Sequence, residues 1–306
     1  MVSKASLAGK VPSMKRMLKR FLKRLAQPIV DELILPSVNR PNNEAVAQKM
    51  LLHQYRLLAS QGNDWLPSIK DVGFRKYSQF EEDGILLYIF SLVPPMNKKC
   101  VEICAGNGQE CNTANLIINH GWWGYLFDGN EQNVKEGAEF FSRNKDTFLY
   151  PPRFTRAWVT AENVDDVIAK AGVSGPIDLL SLDIDGMDYW VWKAISVIEP
   201  QVVVCETHNP IPPDKALTVP YDPKFVFESE NYRGASLSAM CKLGRDKGYR
   251  LVGTHRFGFN AFFIKNGVAE EVFPEVQPAS CVNDPFSELA RKDRWPKARE
   301  FEWQEV

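Results

Sequence analysis

The stretch that most restricts the fold of this chain runs from Cys100 to Asn130 and reads CVEICAGNGQECNTANLIINHGWWGYLFDGN. A short apolar run, Cys100 to Cys104, enters a tight turn, Ala105-Gly106-Asn107-Gly108. A helical pattern then leads to a second apolar run, Trp122 to Phe127, which ends on Asp128. The pattern predicts strand, turn, helix and strand. Gly106 and Gly108 tolerate positive φ and lack a Cβ, so the backbone there can approach a ligand closely where an anionic group would meet a helix N-terminus. In a doubly wound sheet, the acid at the tip of the second strand, about twenty residues past the turn, hydrogen-bonds ribose hydroxyls. The unit reads as a nucleoside-cofactor site with Asp128 on the ribose.

The turn also bears on which cofactor. A dinucleotide fingerprint uses a third glycine for close helix packing, and here Glu110 stands near that position, which disfavours NAD. An acid inside the first strand (Glu102), a glycine pair after it and an acid ending strand two match the pattern of S-adenosylmethionine-dependent methyltransferases.

The rest of the chain follows the same alternation. Strands are expected at 154–159, 177–184, 201–206, 249–255 and 259–265, with helices at 131–143, 161–171, 187–198 and 235–247 between them. Strands separated by helices imply an α/β, doubly wound, mostly parallel sheet, and the final hairpin through Arg256-Phe257-Gly258 adds the antiparallel strand of the methyltransferase variant. Ahead of this core, a helix is expected over 44–61. Ser78, with Glu81 three residues on, has capping-box spacing before the apolar run Ile85 to Phe90. The head of that second helix would lie beside the glycine turn, which makes Gln79 and Asp83 secondary cofactor-site candidates. The organisation expected is a basic amphipathic segment and linker at 1–40, a helical region at 41–98, a core at 99–267 and a C-terminal extension at 268–306.

Composition narrows the function classes. A net charge of -1 over 306 residues excludes a global nucleic-acid footprint. The six cysteines include no C-x-x-C pair and three sit in apolar runs, as for reduced packing residues in a reducing compartment such as the cytoplasm. Residues 1–26 carry eight Lys or Arg and no acid, with Met17, Leu18, Phe21, Leu22 and Leu25 at helical spacing. Three readings are open for this segment: peripheral contact of residues 14–26 with an anionic membrane surface such as the inner membrane, a targeting peptide, or a helix with one face docked on the domain.

Chemistry is expected at the carboxyl ends of the strands, where ligands bind in open α/β sheets. Asp183 and Asp185 end one strand and Glu206 and His208 the next, and strict alternation would aim each pair the same way. Three roles compete for them: general base toward a substrate hydroxyl, oxygen and imidazole ligands of a divalent metal, or helix caps and buried structural partners. The segment 207–233, with five prolines and Tyr221, Phe225, Phe227 and Tyr232, follows directly and is expected to be an acceptor lid without evident secondary structure.

YSQFEEDG, VEICAGNGQECNTANL, WWGYLFDGN, LLSLDIDGMDYWVWKAI, VVVCETHNPIPP and GASLSAMCKLGRDKGYRLVGTHRFGFNAFFI, spread over about residues 76–267, together resemble the FkbM-type class I methyltransferases. The resemblance implies a seven-stranded S-adenosylmethionine fold and O-methyl transfer, commonly to a sugar hydroxyl, so the partner expected is a small-molecule or glycan acceptor. It assigns Glu102 with Ala105, Gly106, Asn107 and Gly108 to the methionine end, and Asp128 to the ribose. Trp158 and Val159 go to the adenine edge and Asp183 beside the methyl group; Asn112, Gly129 and Asn130 complete the cofactor set. His208 departs from the family, where asparagine or another polar residue is more common. An alternative of a different class is a non-catalytic S-adenosylmethionine-binding scaffold.

Overall fold

Five apolar runs become parallel strands of one sheet: β1 (Lys99–Ile103), β2 (Trp123–Asp128), β3 (Arg153–Arg156), β4 (Gly175–Leu182) and β5 (Ile198–Glu206). The computed structural model describes residues 43–306, so the segment expected at 1–40 and its membrane contact lie outside the described residues. The chain divides into a unit Met1–Ala47 and a unit Gln48–Val306, and the sheet belongs to the second. After β6 (Leu217–Thr218), the hairpin β7 (Tyr249–Thr254) and β8 (Asn260–Lys265) closes the sheet, with β8 antiparallel to both β5 and β7. The strand order is β3-β2-β1-β4-β5-β8-β7. This is the α/β, Rossmann-like class I methyltransferase fold with its terminal antiparallel hairpin.

The helices in chain order are α1 (Asn43–Gln61), α2 (Glu82–Leu92), α3 (Ala114–His120), α4 (Glu131–Arg143), α5 (Val164–Lys170), α6 (Asp188–Ala194), α7 (Leu237–Asp246), α8 (Pro278–Cys281) and α9 (Pro285–Ala298). Because successive strand residues face opposite ways, β1 and β4 feed two cores. Val101, Ile103 and Leu180 pack with α5, α6 and α7, while Cys100 and Leu179 pack with α2, α3 and Phe141 of α4. Side chains such as Leu179 and Leu180, fully removed from water, contribute roughly 1.5–3 kcal/mol each. Both faces of β4 and β5 are covered, which is why these segments read as continuous apolar runs.

Several boundaries differ from expectation. α2 begins at Glu82 rather than at Ser78, because Ser78 folds into a preceding loop and its hydroxyl accepts from Asp83 N at 3.2 Å, two residues beyond capping-box spacing. α6 ends at Ala194 and β5 starts at Ile198, so four residues expected as helix become turn and strand. β3 stops at Arg156, which leaves Trp158 and Val159 in the loop beyond its tip. The segment 207–233 is not devoid of structure: β6 pairs antiparallel with β9 (Gln304–Glu305) near the end of the chain. Since β1 pairs with both β2 and β4, the strand order reverses there, and the crevice beyond their carboxyl ends is where this topology seats a ligand.

Candidate functional site

Two cavities open at that crevice and meet at Cys104, the residue after β1. The first, about 100 Å³, is mainly apolar and is lined by Asp128, Gly129, Trp158, Val159, Met187 and Phe225 among others. The second, about 560 Å³, is polar and is lined by Gln79, Glu102, Asn112, Asp183, Glu206 and Arg233 among others. Cys104 lines both. Its φ of 69° and the 57° of Asp185 are left-handed conformations that side chains avoid, and each costs roughly 1–3 kcal/mol. Strain at two adjacent strand tips fits a site whose walls are set by ligand geometry rather than by backbone preference.

At the apolar cavity Asp128 is buried yet heavily used. Its Oδ2 accepts from Gly106 N at 2.9 Å, and its Oδ1 accepts from Asn130 N at 2.8 Å and Asn133 Nδ2 at 3.1 Å. A carboxylate offers about four acceptor positions, so one remains on Oδ2. A Cβ placed on Gly106, whose φ is 55°, would meet nothing within 4 Å, so this turn is open to a ligand. Gly108 behaves differently: a Cβ there would lie 2.7 Å from Phe141 and Phe154, so its role is close packing on α4 and β3. Val159 and Trp158 line the same cavity, with Trp158 donating from Nε1 to Pro223 O at 2.9 Å.

Other expected cofactor residues are committed elsewhere. Glu102, assigned above to the methionine end, accepts from Asn112 N (2.8 Å), Thr113 N (2.9 Å) and Thr113 Oγ1 (2.6 Å). Its carboxylate therefore fills the N-terminus of α3, the place where the glycine turn suggested an anionic ligand group. A pyrophosphate at that helix end would meet a carboxylate already bound to the donors it needs. Asn112 stays at the polar cavity through its side chain, which donates to Ser181 Oγ at 3.1 Å. Asp83 is buried behind the loop it organises: Oδ2 accepts from Lys76 N, Tyr77 N and Ser78 N at 2.6–2.8 Å, and burial raises its pKa. That loop delivers Gln79 and Phe80 to the cavity wall while Asp83 itself stays out of it. Asn130 caps α4 by accepting from Gln132 N, and Ala105 and Asn107 shape the turn without lining either cavity.

The polar cavity gathers the carboxylates. Asp183, Asp185 and Glu206 each present an oxygen within 4.8 Å of the others. Into this group the segment 207–233 places Arg233, which the sequence reading left unassigned. Arg233 donates to Asp185 Oδ1, and its Nη2 lies 2.9 Å from Glu206 Oε1. Burial, reinforced by Asp188 and Asp185, pushes Asp183 up to about 8. Burial, with Asp183 next in weight, raises Glu206 well above the ordinary carboxylate range, and in both cases Arg233 pulls the other way. Among the described residues the Asp183 carboxylate makes no hydrogen bond, which leaves it open to the cavity. Glu206 Oε2, Asn260 Oδ1 and Arg233 Nε are buried without partners around the same space.

This arrangement does not fit a divalent ion. The position a metal would take among the three carboxylates faces a fixed guanidinium already bonded to two of them, and the like charges would oppose each other. His208, expected as fourth ligand or base, is elsewhere. β5 ends at Glu206, the chain leaves its extended course, and the His208 ring stacks on Trp303 with centroids 5.9 Å apart, its Nε2 3.3 Å from Asn231 O. Burial and the nearby Arg294 and Arg233 push its pKa down to about 3, so it is neutral and structural. The helix-cap role weighed for Asp183 and Asp185 is not seen: Met187 precedes α6 without a side-chain cap bond, and Asp188, the first residue of the helix, instead holds the turn before it by accepting from Ile184 N and Gly186 N.

The segment 207–233 walls both cavities, through Tyr221, Pro223 and Phe225 on the apolar side and Phe227, Glu230 and Arg233 on the polar side. Phe225 lies on Gly186 so closely that a Cβ there would come within 2.4 Å of the ring. Behind the segment, Tyr232 stacks on Phe301 at 4.8 Å and donates to Glu302 O at 2.6 Å, tying it to the C-terminal extension. Phe259 and Asn260 of the β7–β8 hairpin complete the polar wall. Their signal in the sequence was only their place at a hairpin tip beside β5.

No family model matches the sequence, and no curated protein matches it. Among solved structures, magnesium protoporphyrin IX methyltransferase (ChlM) from Synechocystis PCC 6803 with bound SAM is 12% identical over 85% of this chain and 100% of that chain, with a TM-score of 0.34. The CcbJ methyltransferase from Streptomyces caelestis is 14% identical over 65% of this chain and 96% of that chain, with a TM-score of 0.39. The methyltransferase domain of bacterial-CtHen1-C is 12% identical over 60% and 97%, also at 0.39.

Proposed function

We propose that this protein is an S-adenosylmethionine-dependent methyltransferase acting on a hydroxyl of a sugar or another small hydroxylated acceptor, in line with the FkbM-type resemblance. The observation that carries the reading is the pair of cavities joined at Cys104, one apolar with a carboxylate at its edge and one polar, with the helix end between them closed to a phosphate by Glu102. Asp128 would accept from the ribose through its remaining position, Trp158 and Val159 would hold the adenine, and the methionine end would reach toward Cys104 and the polar cavity. Bound there, the cofactor supplies an electrophilic methyl group on a sulfonium. Asp183, open and close to neutral pH in its titration, takes the proton of the acceptor hydroxyl. Arg233 keeps Asp185 and Glu206 compensated, and Phe80, Phe227 and Phe259 give aromatic walls to a cavity of ordinary small-molecule size. Six free thiols, five of them buried, suit a reducing compartment such as the cytoplasm.

A thermal-shift comparison tests the cofactor. S-adenosylmethionine or S-adenosylhomocysteine at a hundred times its dissociation constant should add about 2.7 kcal/mol, and NAD nothing. Transfer of a labelled methyl group to hydroxylated acceptors then separates an enzyme from a binding scaffold. A shift with NAD alone would overturn the reading.

A further inference from the structure

We propose that the amino edge of the sheet, opposite the cavities, seats on an anionic bilayer surface. The turn between α4 and β3 presents three consecutive apolar side chains to solvent, Phe148 at 53% exposure, Leu149 at 69% and Tyr150 at 72%. The turn is built rather than loose: Thr147 Oγ1 donates to Phe141 O at 2.6 Å, Phe148 N to Asn144 O at 2.9 Å and Tyr150 N to Thr147 O at 3.0 Å. Exposed Trp123, at the start of β2, places its ring 6.1 Å from that of Tyr150. At the same edge, nearer β4, the loop ahead of β1 exposes Met96, held by Asp178, whose carboxylate accepts from Met96 N at 2.6 Å and Asn97 N at 3.0 Å. A run of exposed apolar residues fixed in place by buried hydrogen bonds marks an interaction surface.

Charge selects the occupant. Lys98 and Arg153 flank the patch, and their cationic groups rest on backbone carbonyls, His120 O at 3.1 Å and Ala171 O at 2.7 Å, rather than on carboxylates. Lys145 is exposed on the same turn, next to Asp146. Aromatic and apolar tips ringed by basic groups match the headgroup level of an anionic membrane, where rings sit at the interface and lysine and arginine meet lipid phosphates. A second copy docked through the same face would bring two basic rims against each other. Among the described residues no helix is long and apolar enough to cross a membrane, so the contact is peripheral. Since β1 and β2 pair in parallel from Lys99 and Trp123 onward, the cavities at Cys104 and Asp128 lie about 17–20 Å away at the other edge and open away from the bilayer. An acceptor would then arrive from the aqueous side.

The test uses the full chain with vesicles of phosphatidylcholine alone and of equimolar phosphatidylcholine and phosphatidylglycerol. Co-sedimentation should favour the anionic vesicles, weaken with salt, and fall by about tenfold or more in partition coefficient for the triple variant F148S/L149S/Y150S. Leu149→Asp, at the most exposed aliphatic position of the turn, should show the same direction with an unchanged melting temperature, which guards against a folding defect in the triple variant. Replacing Lys98 and Lys145 by glutamate should flatten the salt dependence. Equal partitioning of the wild type and Leu149→Asp overturns the proposal, and so does absence of vesicle binding by the wild type. A dimer in solution that the triple variant dissolves, without vesicle binding, assigns the patch to self-association instead.

Discussion

Replacing Arg233 by methionine tests whether the guanidinium acts as the resident counter-charge of the polar cavity. The side chain is 21% exposed and bonds Glu206, whose own side chain is 9% exposed, so this charge-assisted contact should be worth about 1.5–3 kcal/mol. The bond to Asp185, which is 47% exposed, should add only about 0–1 kcal/mol. The total of about 2–4 kcal/mol predicts a fall in melting temperature of about 3–6 °C for a chain of 306 residues. Its pH dependence is the diagnostic part. Asp183 and Glu206 titrate above their unfolded values, so in the folded protein they lose stability as pH rises from near 4 through their folded pKa. Arg233 pulls both pKa values down, so its removal deepens that loss and widens the window upward. Melting curves of wild type and Arg233→Met without ligand should differ little at about pH 5, where the carboxyls hold protons in either protein, and most at about pH 8.5. A difference independent of pH would refute the counter-charge role and leave packing against the Phe227 ring, 5.2 Å from the guanidinium, as the explanation.

Asp183→Asn should lower the methyl-transfer rate by about 10²–10⁴-fold with cofactor affinity nearly unchanged, as measured by single-turnover kinetics and calorimetry. Asp128→Asn should weaken S-adenosylmethionine binding by about tenfold or more, because it alters both the ribose acceptor and the tether to Gly106; unchanged affinity by calorimetry would remove Asp128 from the site. Chelators should leave the transfer rate untouched, since Arg233 already bonds two of the three carboxylates that would hold a divalent ion, and a loss restored by added magnesium or manganese would contradict that. His208 and His120, pushed down to about 3 and about 4, stay neutral in the folded protein, so their contribution to stability is complete above about pH 6.5 and is lost as pH falls toward those values; denaturant melts of His208→Asn should be less pH-sensitive across that range.

The sheet was legible because its signals are local. Cys100 to Asp128 alternates apolar runs with a turn and a helix over a few dozen residues, and each apolar run lies on a strand covered from both sides. Asp128, Asp183 and Glu206, read from the strand tips, line the two cavities of the crevice. Alternation failed two residues later, at His208, because it holds only while the chain stays extended, and His208 lies beyond the end of β5. Type alone could not separate carboxylates that face the cavity from those that build it: Glu102 and Asp188 have the same chemistry as Asp183 but are spent on backbone N–H groups. Arg233 escaped notice because its partners lie 27 and 48 positions away along the sequence, a distance at which only packing decides.

The two halves of the crevice differ in what fixes them. Cys104, Asp128 and Asp183 stand at the ends of β1, β2 and β4, whose side chains fill the two cores, so this half is set as soon as the sheet is. The other half depends on the C-terminal extension. β9 pairs with β6, Phe301 stacks on Tyr232, Trp303 lies on both His208 and Tyr232, and Arg294 of α9 reaches Asn231 at 3.3 Å. Apart from the one on His208, each contact falls within two residues of Arg233 or on β6 earlier in the same segment. The charge balance of Glu206 and Asp185 thus rests on residues 294–305, far from the strands that carry those acids. A sheet of this kind can fix one half of its crevice from the strand tips while the other half is specified by two segments, 207–233 and the C-terminal extension, that pack against each other.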